Sequence, residues 1–291
     1  MWKLLQIELY KIFRRPRTYI SFAAITALIG IIQLGLKMDG QAYVDFLMSS
    51  LKDNFEFDGQ ILNAYLVCYI ILQLLLIHVP LLIALIAADM ISGEANMGTL
   101  RLLLTKPVSK TQFILAKFLA ASVYTFMLLV WIAVFALALS IWLFGTDDLL
   151  IQKTTYVVQI AENDVFWRYI GAFGYALLAM LTVTALGFFL SLFADNSIGP
   201  IVSTMSIIII FTILSTMTIP LFQKIQPYLF TTHMVNWKEF FDEKVDAQNV
   251  VIPGSIQNPE KLLNSAMVLV LHIIGLVTAS VIIFKRKDVL S

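Results

Sequence analysis

Six stretches of this chain contain no Asp, Glu, Lys or Arg: residues 18–36, 59–88, 118–146, 169–194, 196–223 and 262–284. They run from 19 to 30 residues, and the next longest such stretch, 225–237, has 13. A helix needs about 20 apolar residues to cross the hydrocarbon core of a bilayer, where only a helix or a closed barrel satisfies its own backbone. The pattern therefore predicts an all-α integral membrane protein with six transmembrane helices, over about 18–36, 61–88, 113–144, 169–193, 197–219 and 263–284. Residues 1–291 read as a single transmembrane domain, without internal repeat or soluble module. The first span is not expected to be a cleaved signal peptide, because a long amphipathic segment containing Glu8 precedes it.

Composition narrows the function classes. Charged residues make up 13% of the chain, about half of the roughly 25% usual in soluble domains. The net charge of +1, with no basic cluster interleaved with aromatics, points away from nucleic acid. Cys68 is the single cysteine, so no intrachain disulfide forms, and within its apolar run it reads as a small buried hydrophobe.

Orientation follows from the loops. With the N-terminus inside, segments 1–17, 89–117, 195 and 285–291 hold 12 of the 20 cations and 5 of the 19 acids. Lys and Arg concentrate in cytoplasmic loops, so both termini are expected in the cytoplasm. In the opening MWKLLQIELYKIFRRPR, Trp2, Leu5, Leu9, Ile12 and Phe13 fall on one side of a helix over about 2–15, with Lys3, Lys11, Arg14 and Arg15 roughly opposite. That predicts a helix lying in the membrane interface, apolar face toward acyl chains and cations toward phosphate, before Pro16 turns the chain into the first span. The large outer loop 220–261 carries Trp237, Phe240 and Phe241, which are expected to rest on the outer interface. The fourth and fifth spans are joined by FADNSIGP alone, where Asn196 or Ser197 can cap the fifth helix and Pro200 fits its first turn.

Chemistry is missing from the spans. There is no phosphate-cradling G-x-x-x-x-G-K-[ST] loop, no H-E-x-x-H and no G-x-S-x-G, and no catalytic or metal-ligating set is predicted. His78 and His272 lie in spans, where each reads as a packed, hydrogen-bonded residue. Ion-coupled transport uses intramembrane charge, and the six stretches have none. An ion-coupled secondary transporter or channel acting alone, and a non-transporting membrane anchor for a soluble partner, remain as alternatives. Otherwise the energy for transport has to enter through a cytoplasmic surface.

The candidate surface is the loop 89–112, DMISGEANMGTLRLLLTKPVSKTQ. Ser92 is placed to cap a helix starting near Gly93, with Glu94 in its first turn. Met97, Leu100, Leu103 and Leu104 recur at helical spacing, Pro107 ends the helix, and Ser109 or Thr111 starts the next. An amphipathic helix of this kind fits either a groove on a partner or the lipid surface. The run from Asp89 through I-S-G-E, G-T-L-R-L-L-L-T-K-P-V-S-K and F-I-L-A-K resembles the signature of the membrane permease of type-2 ABC exporters; Lys110 stands where Arg is common.

The resemblance implies a permease that exports a substrate across a bacterial inner membrane. It implies a dimer with a second, identical chain, and two copies of a separate ATPase subunit that carries the ATP and Mg; no cofactor belongs to this chain. It makes loop 89–112 a coupling helix, with Gly93, Glu94, Gly98, Thr99, Leu100, Arg101, Leu103, Leu104 and Pro107 as coupling residues. Glu94 would offer an anion to a basic ATPase surface, and Gly98 would allow close backbone approach. Related exporters turn helices two and five to the central cavity. On helix five Thr204, Thr212, Ser215, Thr216 and Thr218 share one arc, and on helix two Asn63, Gln73 and His78 are polar. These are the candidate lining of a path, with hydroxyl bonding back to the helix as the other reading.

Overall fold

The computed structural model describes residues 1–291 except 48–59, 101–107, 154–155, 249 and 287–291. Six helices are long and apolar enough to span a membrane, as the charge-free stretches predict. Helix α1 (Trp2–Arg14) ends where Arg15 turns to extended backbone, and Pro16, whose fixed φ suits a first helical position, opens α2 (Pro16–Leu47). This helix outruns its charge-free stretch and is interrupted by non-helical backbone at Asp39. Lys37 stays in it by donating to the carbonyl of Leu143 at 2.7 Å, a helix end where a cation is favoured.

The second span, α3 (Ala64–Ala87), starts at Asn63. The Asn63 Oδ1 accepts from the N–H groups of Tyr65 and Leu66, and its amide donates to the carbonyls of Gln60 and Asp148. The short α4 (Ser92–Asn96) follows, and helical backbone resumes at Thr99 and Leu100. The third span, α5 (Lys110–Ala133), begins with Ser109 accepting from the N–H of Gln112 and passes through a π-helical turn, Val134–Ala138, into α6 (Leu139–Phe144). A π turn loosens the regular backbone ladder. Gln33 of α2 fills that gap, donating to the Phe135 carbonyl at 2.8 Å and the Ser140 hydroxyl at 2.9 Å.

An antiparallel hairpin, β1 (Leu149–Gln152) and β2 (Val157–Ile160), precedes the fourth span, pairing Leu149 with Ile160 and Gln152 with Val157. The all-α expectation holds for the bundle and misses this hairpin, which is too short for a clear alternation. The fourth span, α7 (Glu162–Leu190), starts seven residues before the charge-free stretch does, because Arg168 is drawn into the protein. After a 3₁₀ turn, Ser191–Phe193, come α8 (Ile198–Thr216), α9 (Pro220–Gln223), a 3₁₀ turn Gln226–Tyr228, α10 (Phe230–Met234), a 3₁₀ helix Val235–Phe241, and the sixth span α11 (Pro259–Arg286). Asn196 accepts from the N–H of Gly199, and Pro200 stands in the first turn of α8.

α7 is the most enclosed span and α8 and α11 the least. Membrane helices approach closely at small residues. Gly187 of α7 is such a place: a methyl there would stand 3.3 Å from the Ala87 Cβ, 3.3 Å from the Ala88 nitrogen and 3.6 Å from the Thr204 hydroxyl. The aromatics of 235–241 do not rest on an interface. Trp237 and Phe241 are buried against Tyr69, and Phe241 also meets Tyr169.

Candidate functional site

With six crossings, the N-terminus, the end of α11, the α3–α5 connection and the α7–α8 turn lie on one face, called here the terminal face. Two buried ion clusters organise it. Asp89, just beyond α3, is 2% exposed. It accepts from Arg15 and from the Ser197 hydroxyl, and pairs with Arg17 at 2.9 Å. One carboxylate thus joins the α1–α2 joint, the end of α3 and the α7–α8 turn. Gly93 is the condition for this, because a methyl there would sit 2.5 Å from a carboxylate oxygen of Asp89.

The second cluster joins α1, α4 and α5. Lys11 lies 2.7 Å from both Glu8 and Glu94, and Lys117 lies 2.7 Å from the same two carboxylates. Lys117 is 1% exposed, so its charge needs both partners. Burial pushes the Glu8 carboxyl up, but the Lys117 and Lys11 ammonium groups outweigh it and hold it below the ordinary carboxylate range. Burial pulls Lys11 down, and its hydrogen bonds to Glu8 and Glu94 raise it above the ordinary lysine value. The second Glu94 oxygen has no hydrogen-bond partner among the described residues.

This corrects several expectations. Glu94 is not presented to a partner; it is buried inside the chain between two lysines. Ser92 does not cap α4: it is the first helical residue, Ile91 holds the cap position, and the Ser92 hydroxyl donates to the Ala88 carbonyl at 2.7 Å. Leu100 is buried as well. Gly98 has φ +68° with open space where a side chain would be, so it turns the chain rather than fitting against a neighbour. Thr99 is half-buried and donates to the Glu94 carbonyl. The exposed tip is Asn96, Met97 and Gly98, of which Asn96 is not among the expected coupling residues. Arg101, Leu103, Leu104 and Pro107 lie outside the described residues.

The interfacial stripe is also reassigned. Ile12 is buried and Leu5 and Leu9 pack against the core, so this part of the face meets protein rather than acyl chains, with Phe13 half-buried at its edge. Glu8 sits in the middle of the stripe and marks it as covered. Trp2 stays exposed, together with Ile7 and Tyr10.

The proposed path residues divide. Thr204 is buried and bonds back to Pro200, and Asn63 is consumed by capping α3, so neither lines an open path. Thr212 and Thr216 bond back to Ile208 and Ile213 from an exposed side of α8. Ser215 is tied to Thr231 and Thr232, and Thr218 lies beyond the end of the helix. Gln73 and His78 share an exposed face of α3 with Leu74 and Ile77; Gln73 accepts from Lys238 at 2.7 Å. His272 bonds to the Val268 carbonyl, the packed role expected of it.

On the opposite, loop face, Arg168 is fully buried. It donates to the Phe240 carbonyl at 2.7 Å, to Asp164 at 2.5 Å and to Glu243 at 2.9 Å, fastening the 235–241 helix to α7. The sequence did offer a signal for half of this, the i,i+4 spacing of Asp164 and Arg168. Burial pushes the Glu243 carboxyl up, against the pull of Arg168 and with help from Asp164.

The family model described as ABC-2 family transporter protein matches residues 2–289 of the chain. No curated relative matches it.

Proposed function

The chain belongs to the ABC-2 transporter family, and on that premise we propose that it exports a substrate, driven by two copies of a separate ATPase that dock at the terminal face. It is the membrane permease subunit of an ABC transporter, a multi-pass membrane protein whose partners are an ABC ATPase and the lipid bilayer. In the proposed assembly the termini are cytoplasmic in a bacterial inner membrane, and ATP and Mg are held by the ATPase. The exposed tip Asn96–Met97–Gly98, with the 101–107 stretch that follows it, meets a cleft on that subunit.

The observation that carries this reading is the Glu8–Lys11–Glu94–Lys117 cluster. Two of its 2.7 Å contacts, Lys11–Glu94 and Lys117–Glu94, fix α4 to α1 and α5, and Lys117–Glu8 joins α5 to α1, so a push on the tip moves helices rather than a loop. A second, identical chain covers the exposed faces of α3 and α8, and the substrate passes between the two copies along Gln73, His78, Thr212 and Thr216. Such a path carries no Asp, Glu, Lys or Arg from α3 or α8, with the Lys238 ammonium beside it at Gln73, which suits an amphiphilic substrate.

The test is co-purification of the tagged chain with its ATPase, followed by ATP hydrolysis and transport in proteoliposomes. Met97→Asp, at an exposed position, is expected to weaken co-purification about tenfold and leave the monomer folded. Full assembly and normal coupled transport by this variant would refute the docking assignment.

A further inference from the structure

An apolar groove of about 950 Å³ runs between α2 and α5. Phe13, Tyr19, Phe22, Ala23, Thr26 and Ala27 form one wall, and Phe126, Met127, Val130, Trp131 and Val134 the other. No part of the described chain covers it: Tyr19, Phe126, Val130 and Val134 are between 45% and 59% exposed. Between the walls the polar atoms are engaged, since the Trp131 indole donates to the Thr26 hydroxyl at 2.8 Å and that hydroxyl donates to the Phe22 carbonyl. The surface offered outward is therefore hydrocarbon.

Length and charge identify the occupant. From Tyr19 to Ala27 the groove follows about 12 Å of helix, most of the roughly 15 Å depth of one leaflet's hydrocarbon. It starts at Phe13, beside the cation-rich α1–α2 joint. Arg15 and Arg17 share the single carboxylate of Asp89, so that cluster is left with excess positive charge. Arg14 is exposed, has no acidic partner among the described residues, and lies over the Tyr10 ring at 5.0 Å. We propose that this groove seats an acyl chain of one anionic phospholipid, from the leaflet in which α1 lies, with its phosphate held at Arg14. The lipid fills the space between α2 and α5 and packs beneath α1, which makes it a component of the permease rather than its cargo.

The experiment is native mass spectrometry of the purified full-length chain, equilibrated with equal palmitoyl-oleoyl phosphatidylglycerol and phosphatidylcholine. One bound phosphatidylglycerol is expected, favoured over phosphatidylcholine about fivefold, the contribution of one surface cation to anionic-lipid binding. Arg14→Glu is expected to retain lipid and lose the preference. Ala23→Phe with Ala27→Phe, which fills the groove, is expected to lose both lipids. Equal retention of the two lipids by the wild type overturns the anionic assignment. Unchanged retention by the filled variant, or a groove closed by chain dimerisation without lipid, overturns the site. Should the filled variant fail to fold, Arg14→Glu still decides the headgroup claim.

Discussion

The two ends of the bundle solve the same problem, a buried charge at a joint between elements, with opposite balance. On the terminal face two lysines meet two carboxylates, and the charges of α1, α4 and α5 cancel. On the loop face one arginine meets two carboxylates, leaving one negative charge too many. The balanced cluster depresses the Glu8 carboxyl and the unbalanced one raises that of Glu243. A depressed carboxylate contributes stability above its ordinary value of 4.5, which is lost as the pH falls through its folded value. A raised one acts in reverse: the fold binds its proton more tightly, and stability falls as the pH rises from 4.5 through the folded value. Protonation therefore acts in opposite senses at Glu8 and Glu243, while Asp164, held low against its burial by hydrogen bonds from Trp167, Arg168 and Gly254, follows Glu8.

The most severe way to break this contrast is Arg168→Met. It strands Asp164 and Glu243 in buried positions and is expected to cost about 3–5 kcal/mol, read as a lowered unfolding temperature of the detergent-purified chain. Loss of protection should concentrate in 235–243 and the start of α7, with α4 unaffected. Lys117→Met should cost less, about 2 kcal/mol, because Lys11 still reaches both carboxylates. Its main effect is expected on coupling: ATP hydrolysis continues while transport per ATP falls. If both variants uncouple equally, the two ends are not functionally distinct. Gly98→Ala places a side chain at φ +68° and should cost about 1 kcal/mol, confined to the tip. The smallest effect is that of pH. As the pH falls toward 4.5, hydrogen exchange corrected for intrinsic rate should slow around Glu243 and stay level around Glu8. Slowing at both ends, or at Glu8 alone, would reverse the assigned signs.

What the sequence made legible follows from what lipid demands. The spans could be read because the bilayer admits no unpaired backbone and little charge, so their absence of Asp, Glu, Lys and Arg is enforced residue by residue. The loop motif was legible as a pattern, but the meaning of its members was not. Asp89, Gly93 and Glu94 are neighbours in sequence, yet Arg15, Arg17 and Lys11 come from the distant α1–α2 segment, and Lys117, the last residue of the same motif, from the next span. Periodicity likewise identified the stripe of α1 without saying what lies against it. Glu8 at its centre was the clue that protein charge, not lipid, was on the other side. Trp237 and Asn63 were misplaced for a related reason: an aromatic or an amide near a span boundary suits an interface or a path, and only packing shows that it is core or cap.

One contact described above limits how the spans can move. At Gly187, α7 meets the end of α3 and the first turns of α8 with no side chain of its own between them. Backbone lying this close has no rotamer to swing aside and no methylene to compress. Sliding one helix along another would drive Cβ atoms into main chain, while rocking about the point leaves the spacing unchanged. Gly187 thus leaves rocking, rather than sliding, as the motion open to these three helices at their closest approach.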